Sequence, residues 1–186
     1  MTGIARITSL IPHRRPALLV DRVVEVEPGK RLVTHKAVTL AEPGYRAVPD
    51  HAPDRAYAYP LDLLLESWAQ SAVLLACWEQ PNADVRAGRV VLLAGVRGAR
   101  VLAPVHPGCV LVHEVHLVRD VGDAVITTGT TTVDGRPVLE IGQLTLALRG
   151  AELLTGAEPL TGAESLTGAE LPTGAGASAP TTDERS

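Results

Sequence analysis

Apolar residues are concentrated in two groups of short segments, and in VITTGTTTV and LEIGQLTLAL they alternate with polar residues at a two-residue period. The first group, PALLVDRVVEVEPGKRLVTHKAVTL, holds two runs rich in Val and Leu around a turn signal at residues 27–30. Four more runs follow residue 85, separated by Pro- and Gly-containing turns such as Asp134-Gly135. Because short turns join neighbouring strands in an antiparallel manner, the pattern predicts about six strands that are mostly antiparallel.

One strong helix signal lies between the two strand groups. Pro60 suits the first helical position, Asp62 complements the helix dipole in the first turn, and Pro81 ends the run. The residues up to Trp78 are almost all apolar, so a helix there has no wide polar face and must be covered nearly all round. An α+β fold meets this requirement if a six-stranded, mostly antiparallel sheet wraps one long central helix, which is the hotdog fold.

The few polar residues of this helix form a narrow stripe. Asp62, Glu66 and Gln70 lie at positions i, i+4 and i+8, and we expect them to line a wet site. A carboxylate in apolar surroundings is costly when charged, so desolvation would raise the pKa of Glu66 and make it a proton donor near neutral pH. The residues alone equally allow Glu66 to pair with an arginine across a subunit contact.

His51 lies in the proline-rich loop PDHAPDRAYAYP that leads into the helix. A lone loop histidine is usually a surface residue, but this loop ends at a helix N-terminus. The amides of Leu61 and Asp62 lack intrahelical partners there and can donate to a developing oxyanion. We therefore regard His51 as a candidate catalytic residue and Leu61 and Asp62 as candidate substrate-binding residues.

Two other motifs do not predict a cofactor. HEVH has the composition of a metal-ligand pair, but His113 and His116 would point to opposite faces of a strand, so we predict surface histidines. GVRGAR at residues 95–100 lacks the third glycine of a dinucleotide-binding loop and runs into more strand. We expect neither a metal nor a redox cofactor.

Charge and composition separate the C-terminus from the rest of the chain. The formal net charge of the 186 residues is -4, and residues 151–186 alone contribute -5. Their near-repeat GAELLTGAEPLTGAESLTGAELPTGAG has few large apolar groups, which favours a low-complexity, disordered tail after one domain at 1–150. A near-neutral domain does not resemble a nucleic-acid-binding surface.

The chain carries no signal for a membrane or for export. No apolar run reaches the roughly 18 residues of a membrane span, and the N-terminus has no cleavage-type site, so we expect a cytoplasmic protein. Cys77 and Cys109 are then expected to be reduced and buried.

Residues 8–148 resemble the 3-hydroxyacyl-[acyl carrier protein] dehydratases, hotdog-fold enzymes of the beta-hydroxyacyl dehydratase type. The resemblance is carried by IPHRRPALLVDRVVEVEPGK, LLLESWAQSAVLLA, AGVRGARVLAPVHPGC and TTVDGRPVLEIGQLTLAL. It implies catalytic roles for His51 and Glu66, which would face each other across the interface of a homodimer with two composite sites. It also implies an acyl carrier protein as partner, docked by Arg97 and Arg100. Gln70, on the stripe of Glu66, is a further candidate substrate-binding residue.

The chain departs from the family pattern near the expected site. HAPD replaces HFPG, one residue is inserted before Pro60, and Leu61 stands where the family has a glycine, which retains the amide but adds a bulky side chain. Several basic residues expected after Gly95 are missing as well.

The function predicted from these features is dehydration of a 3-hydroxyacyl thioester to the 2-enoyl thioester. The pathway is fatty acid biosynthesis or a specialised one such as polyketide or polyene assembly. Two alternatives stay open because a fold does not fix its chemistry. One is a catalytically weak or silent subunit that pairs with a different hotdog chain, and the other is a thioesterase.

Overall fold

The computed structural model describes residues 2–84 and 89–150, so the predicted tail at 151–186 lies outside the described residues. Two 3-10 turns, Pro43–Tyr45 and Asp54–Tyr57, lie in the long connection before the main helix. The other elements in chain order are α1 (Ile4–Leu10), β1 (Arg22–Glu27), β2 (Arg31–Ala37), α2 (Leu61–Ala76), β3 (Arg89–Val101), β4 (Val110–Asp120), β5 (Ala124–Val133) and β6 (Arg136–Gly150).

The described strands form one six-stranded sheet in the order β1-β2-β4-β5-β6-β3, and all five pairings are antiparallel. The predicted strand content is therefore confirmed. Asp134 and Gly135 both adopt positive φ, 50° and 76°, as a two-residue hairpin between β5 and β6 requires. The GVRGAR segment lies inside β3, as predicted.

Helix α2 packs on one face of the sheet, against β2, β4 and β5. Its largest buried side chain, Trp68, donates from Nε1 to the carbonyl oxygen of Thr130 at 3.3 Å. Gly129 makes this packing possible, since a Cβ at this position would overlap the carbonyl oxygen of Glu114 and press on the Trp68 ring. The helix ends at Ala76, two residues before the predicted Trp78.

The prediction that α2 is covered all round is wrong for a single chain. Residues 67–75 are buried, but before them only Leu64 is: the side chain of Glu66 is 45% exposed and Leu61 is 51% exposed. The sheet of one chain covers only one side of the helix start. Residues 2–84 and 89–150 therefore do not supply all of the cover that the apolar sequence of α2 requires.

His113 is not a surface residue, which corrects the prediction from HEVH. It is fully buried on β4, and its Nδ1 lies 2.8 Å from Thr131 Oγ1 in a hydrogen bond. The physical reason is alternation: Leu111, His113 and Val115 share the strand face that α2 covers, and all three are buried. His116 does lie on the other face, half exposed, with Nε2 3.2 Å from Glu114 Oε1.

The two edges of the sheet differ in character. Edge strand β1 carries charged residues, whereas edge strand β3 and its end expose large apolar side chains. The exposed apolar residues there are Leu92, Leu93, Val101 and Leu102. Charge protects an edge strand from pairing, so among the described residues the apolar part of β3 before Arg97 is the edge open to another strand.

Cys77 is buried and Cys109 partly buried, and both are free thiols. Within residues 2–84 and 89–150, no helix is long and apolar enough to cross a membrane.

Candidate active site

The polar stripe predicted on α2 is organised around Gln70. Its Nε2 donates to Glu66 Oε1 and to the carbonyl oxygen of Ala17, both at 2.7 Å, and its Oε1 accepts from the amide of Leu19 at 2.9 Å. Gln70 is 1% exposed and uses both of its N–H groups inside the chain. Its place in the site is therefore to hold Glu66 and the segment before β1. A direct contact between Gln70 and substrate stays a prediction.

His13 is a member of the site that sequence reasoning missed. Its Nε2 lies 3.6 Å from Glu66 Oε1, and its side chain is 27% exposed. Burial lowers the pKa of His13 below its ordinary value, with nearby Arg14 acting in the same direction and Glu66 opposing both. The only signal in the sequence was its position in the PHRRP motif, which assigns it no role.

His51 is exposed and lies in a tight turn, in which the amide of Ala52 bonds to the carbonyl oxygen of Pro49 at 3.1 Å. The backbone of His51 is left-handed, with φ of 65°, a conformation uncommon for a residue other than glycine. Within the described residues of this chain, no hydrogen bond or ion pair joins His51 to Glu66. The structure thus keeps each predicted catalytic residue accessible and does not bring the two into contact.

The connection that carries His51 is anchored at its start by a buried ion pair. Lys36 Nζ donates to Glu42 Oε1 at 2.8 Å and to the carbonyl oxygen of Ala37 at 2.6 Å, with the Lys36 and Glu42 side chains 8% and 11% exposed. Lys36 also lies 5.9 Å from the centroid of the Tyr59 ring. Desolvation by burial is the main cause that raises the pKa of Tyr59. The buried ion pair of Lys36 with Glu42 thus holds the start of the connection that carries His51.

The N-terminus of α2 begins at the end of this loop. The amide of Leu64 is the first to find a helical carbonyl partner, that of Pro60 at 3.0 Å, as helix geometry requires. The amides of Leu61 and Asp62 precede it, and both residues are exposed. These candidate substrate-binding residues therefore lie at an accessible helix terminus, on the helix that carries Glu66.

A cleft of about 450 Å³ lies between the segment after His51 and the loop before β4. Its lining includes Asp54, Tyr57 and His106. Neither His51 nor Glu66 lines this cleft, so it is separate from the site predicted from the sequence.

The two candidate docking residues lie on edge strand β3. Arg97 is exposed and pairs in register with Gln143 of β6. Arg100 is 71% exposed and forms an ion pair with Glu140, its register partner on β6. An acidic partner would have to compete with Glu140 for Arg100.

Known proteins resemble this chain over most of the described residues. The family model described as FabA-like domain matches residues 11–142. The 3-hydroxyacyl-[acyl-carrier-protein] dehydratase FabZ of Myxococcus xanthus (strain DK1622) is 42% identical over 138 residues, which is 74% of this chain and 86% of the relative.

Solved structures also resemble this chain. The dehydratase heterocomplex ApeI:P from Xenorhabdus doucetiae matches with a TM-score of 0.65 at 16% identity, over 81% of this chain and 97% of the other. A hot-dog-like protein from Thermanaerovibrio acidaminovorans gives 0.52 at 18% identity, over 67% and 84%. At these identities the likeness concerns the fold, and the predicted hotdog fold is confirmed.

Proposed function

Because this chain belongs to the FabA-like family, we propose that it is a dehydratase that converts 3-hydroxyacyl thioesters on an acyl carrier protein into 2-enoyl thioesters, in fatty acid biosynthesis. The relative from Myxococcus xanthus carries the name of this activity and aligns with most of the chain. The observation that carries the proposal in the structure is the partly exposed Glu66 carboxylate, held by Gln70 on a helix whose first two residues are also exposed.

The proposed first step is removal of a proton from C2 of the substrate by neutral His51. As the C2–H bond breaks, negative charge develops on the thioester carbonyl oxygen. The amides of Leu61 and Asp62 at the start of α2 are suited to stabilise it, since they are donors without helical partners. An imidazole is suited to the base role because it exchanges protons near neutral pH.

Protonated Glu66 completes the reaction by donating its proton to the C3 hydroxyl. The C3–O bond breaks, the electron pair from C2 forms the C2=C3 double bond, and water leaves. His51 then holds one extra proton and Glu66 lacks one, so exchange with solvent restores both groups. The reaction consumes no redox equivalent.

We propose that two copies of the chain join through strand β3 to form the site. This edge exposes Leu92 and Leu93, whereas the opposite edge is charged, so pairing of two β3 strands would extend the sheet and bury apolar surface. A second copy would also supply the cover that the start of α2 lacks. It would bring His51 of one chain to Glu66 of the other, as the family resemblance implies.

Arg97 and Arg100 are the proposed contacts for the carrier protein. Both are exposed cations on the same edge strand, which supports an encounter with an acidic partner. The ion pair of Arg100 with Glu140 makes Arg97 the stronger candidate.

Turnover of a 3-hydroxyacyl thioester by the purified protein tests the function, with the enoyl product followed by mass. We expect the wild type to release water, and we expect His51→Ala and Glu66→Gln each to lose at least about 100-fold in kcat. Release of free thiol instead of the enoyl product would identify a thioesterase. A folded dimer without turnover on carrier-bound substrate would indicate a silent subunit.

A further inference from the structure

Two side chains from different parts of the chain converge on a single oxygen of Glu66. Gln70 Nε2 donates to Oε1 at 2.7 Å, and His13 Nε2 lies 3.6 Å from the same atom. Within the described residues, no hydrogen bond or ion pair involves Oε2. The two oxygens of the proposed acid are therefore in unlike environments.

The orientation of the Gln70 amide is fixed by the backbone around it. Its Oε1 faces the amide N–H of Leu19, which can only donate, and its Nε2 faces the carbonyl oxygen of Ala17, which can only accept. A flipped amide would lose both bonds. Gln70 must therefore present an N–H group to Glu66, which makes Oε1 of Glu66 an acceptor.

His13 reaches the same oxygen from the loop after α1. Its Nδ1 is buried without a hydrogen-bond partner among the described residues, whereas Nε2 faces the carboxylate. A buried N–H without an acceptor is costly, so the neutral ring should carry its proton on Nε2, toward Glu66. The charged groups around the ring are Glu66 and Arg14.

We propose that His13 is a positioning residue that acts with Gln70 to keep Oε1 of Glu66 an acceptor, so that the proton for the leaving hydroxyl is carried on Oε2. This inference rests on the proposed function, since it assigns the atom of Glu66 that performs the second step. His13 itself exchanges no proton with substrate. It fixes the side-chain rotamer of Glu66 and determines that Oε2, rather than Oε1, carries the proton.

The contact itself can be tested without any activity, by following the histidine ring signals by NMR across pH. In Glu66→Gln, we expect the titration midpoint of His13 to fall by about half a pH unit or more, since a facing negative charge is removed. The ring of His35, on β2, serves as control and should titrate identically in both proteins. An unchanged midpoint for His13 would overturn the proposal, whether or not the protein is a dehydratase.

The role is tested by steady-state kinetics of His13 variants on a 3-hydroxyacyl thioester. His13→Ala should lower kcat about tenfold and change KM by less than about twofold, because the electrostatic contact that orients the Glu66 carboxyl group is lost and the binding surface is kept. His13→Gln offers an N–H donor and should recover to within about threefold of wild type. Thermal melting of each variant reports whether it is folded.

His116→Ala is the matched control, because His116 also faces a carboxylate, that of Glu114, on a strand away from Glu66. It should retain wild-type kcat. Wild-type kcat in His13→Ala, or an equal loss in the Ala and Gln variants, would overturn the positioning role. Absence of turnover by the wild type would instead reject the proposed function, and the NMR titration would still decide whether the contact exists.

Discussion

Glu66 shows what a single sequence reveals about a residue and what it leaves hidden. Its isolation on an apolar helix and the family resemblance were enough to select it as the proposed acid. Its partners depend on how the segment before β1 folds back on α2, where Ala17 and Leu19 bond to Gln70. No local pattern encodes that contact, which is why His13 was missed. His113 was misjudged for a different reason: alternation placed His113 and His116 on opposite faces of the strand, but Leu111 and Val115 already marked the face of His113 as the apolar one.

As pH falls, burial of His113 should lower the unfolding free energy of the protein at pH values above those at which its carboxylates become protonated. Desolvation lowers the pKa of His113 to about 3, from the ordinary 6.5 that applies in the unfolded chain. Between pH 6.5 and pH 3 the His113 ring is protonated in the unfolded chain and neutral in the folded chain. The contribution of His113 to stability is therefore complete above pH 6.5 and is lost as pH falls toward 3, by about 1.4 kcal/mol per pH unit.

Urea unfolding at pH 7, 6 and 5 measures this dependence. His113→Gln has no titratable ring but can still bond to Thr131, so its unfolding free energy should fall less steeply with pH than that of the wild type. His116→Gln, on the exposed face of the same strand, should keep the wild-type slope. If the unfolding free energies of wild type and His113→Gln fell equally with pH, His113 would not control stability in acid.

At the scale of elements, the period of the hydrophobic residues predicted every strand and the central helix. Helix α2 stops at Ala76: Cys77 has φ of -96° and ψ of 5°, outside helical values, and the amide of Trp78 bonds to the carbonyl oxygen of Leu75 only three residues back. The long connection from β2 to α2 was the poorly predicted part. Its path depends on the buried pair of Lys36 and Glu42, two residues whose types are usually found at the surface.

Removal of one partner of this buried pair should destabilise the fold and disturb the loop of His51. Lys36→Met leaves the Glu42 carboxylate buried without its cation, and we expect a loss of about 3 kcal/mol in unfolding free energy. Lys36→Met combined with Glu42→Leu should recover part of that loss, because no charge then remains buried. Chemical denaturation measures the unfolding free energies of the single and the double variant. A lower kcat would indicate that the loop of His51 is disturbed.

Lys30→Met is the matched control, since the Lys30 and Glu27 side chains form an ion pair that is largely exposed, at 73% and 57%. Exposed pairs contribute little to stability, so this variant should unfold like the wild type. Equal stability of Lys36→Met and Lys30→Met would show that the buried pair does not anchor the loop.

At the scale of the whole molecule, three separate features of one chain are consistent with the proposal that a second copy completes the site. The start of α2 is uncovered, strand β3 has an open apolar edge, and His51 and Glu66 do not meet within the described residues. The helix sequence predicted full cover, which the described residues of one chain do not supply at the start of α2. A sequence pattern reports that a face must be buried, but it does not report which chain buries it.

Mixing two inactive variants tests whether the site is shared between chains. In a dimer of His51→Ala with Glu66→Gln, one composite site has both mutations and the other has neither. If subunits exchange freely, half of the dimers are mixed and about a quarter of all sites regain both groups. We therefore expect an unfolded and co-refolded mixture to recover about a quarter of the wild-type kcat per site, although each variant alone is inactive.

A site built within one chain predicts no recovery, because every chain in the mixture lacks one of the two groups. The same mixture made with Leu92→Lys and Leu93→Lys in both chains should also fail, since charge on strand β3 would prevent the pairing that brings the two residues together.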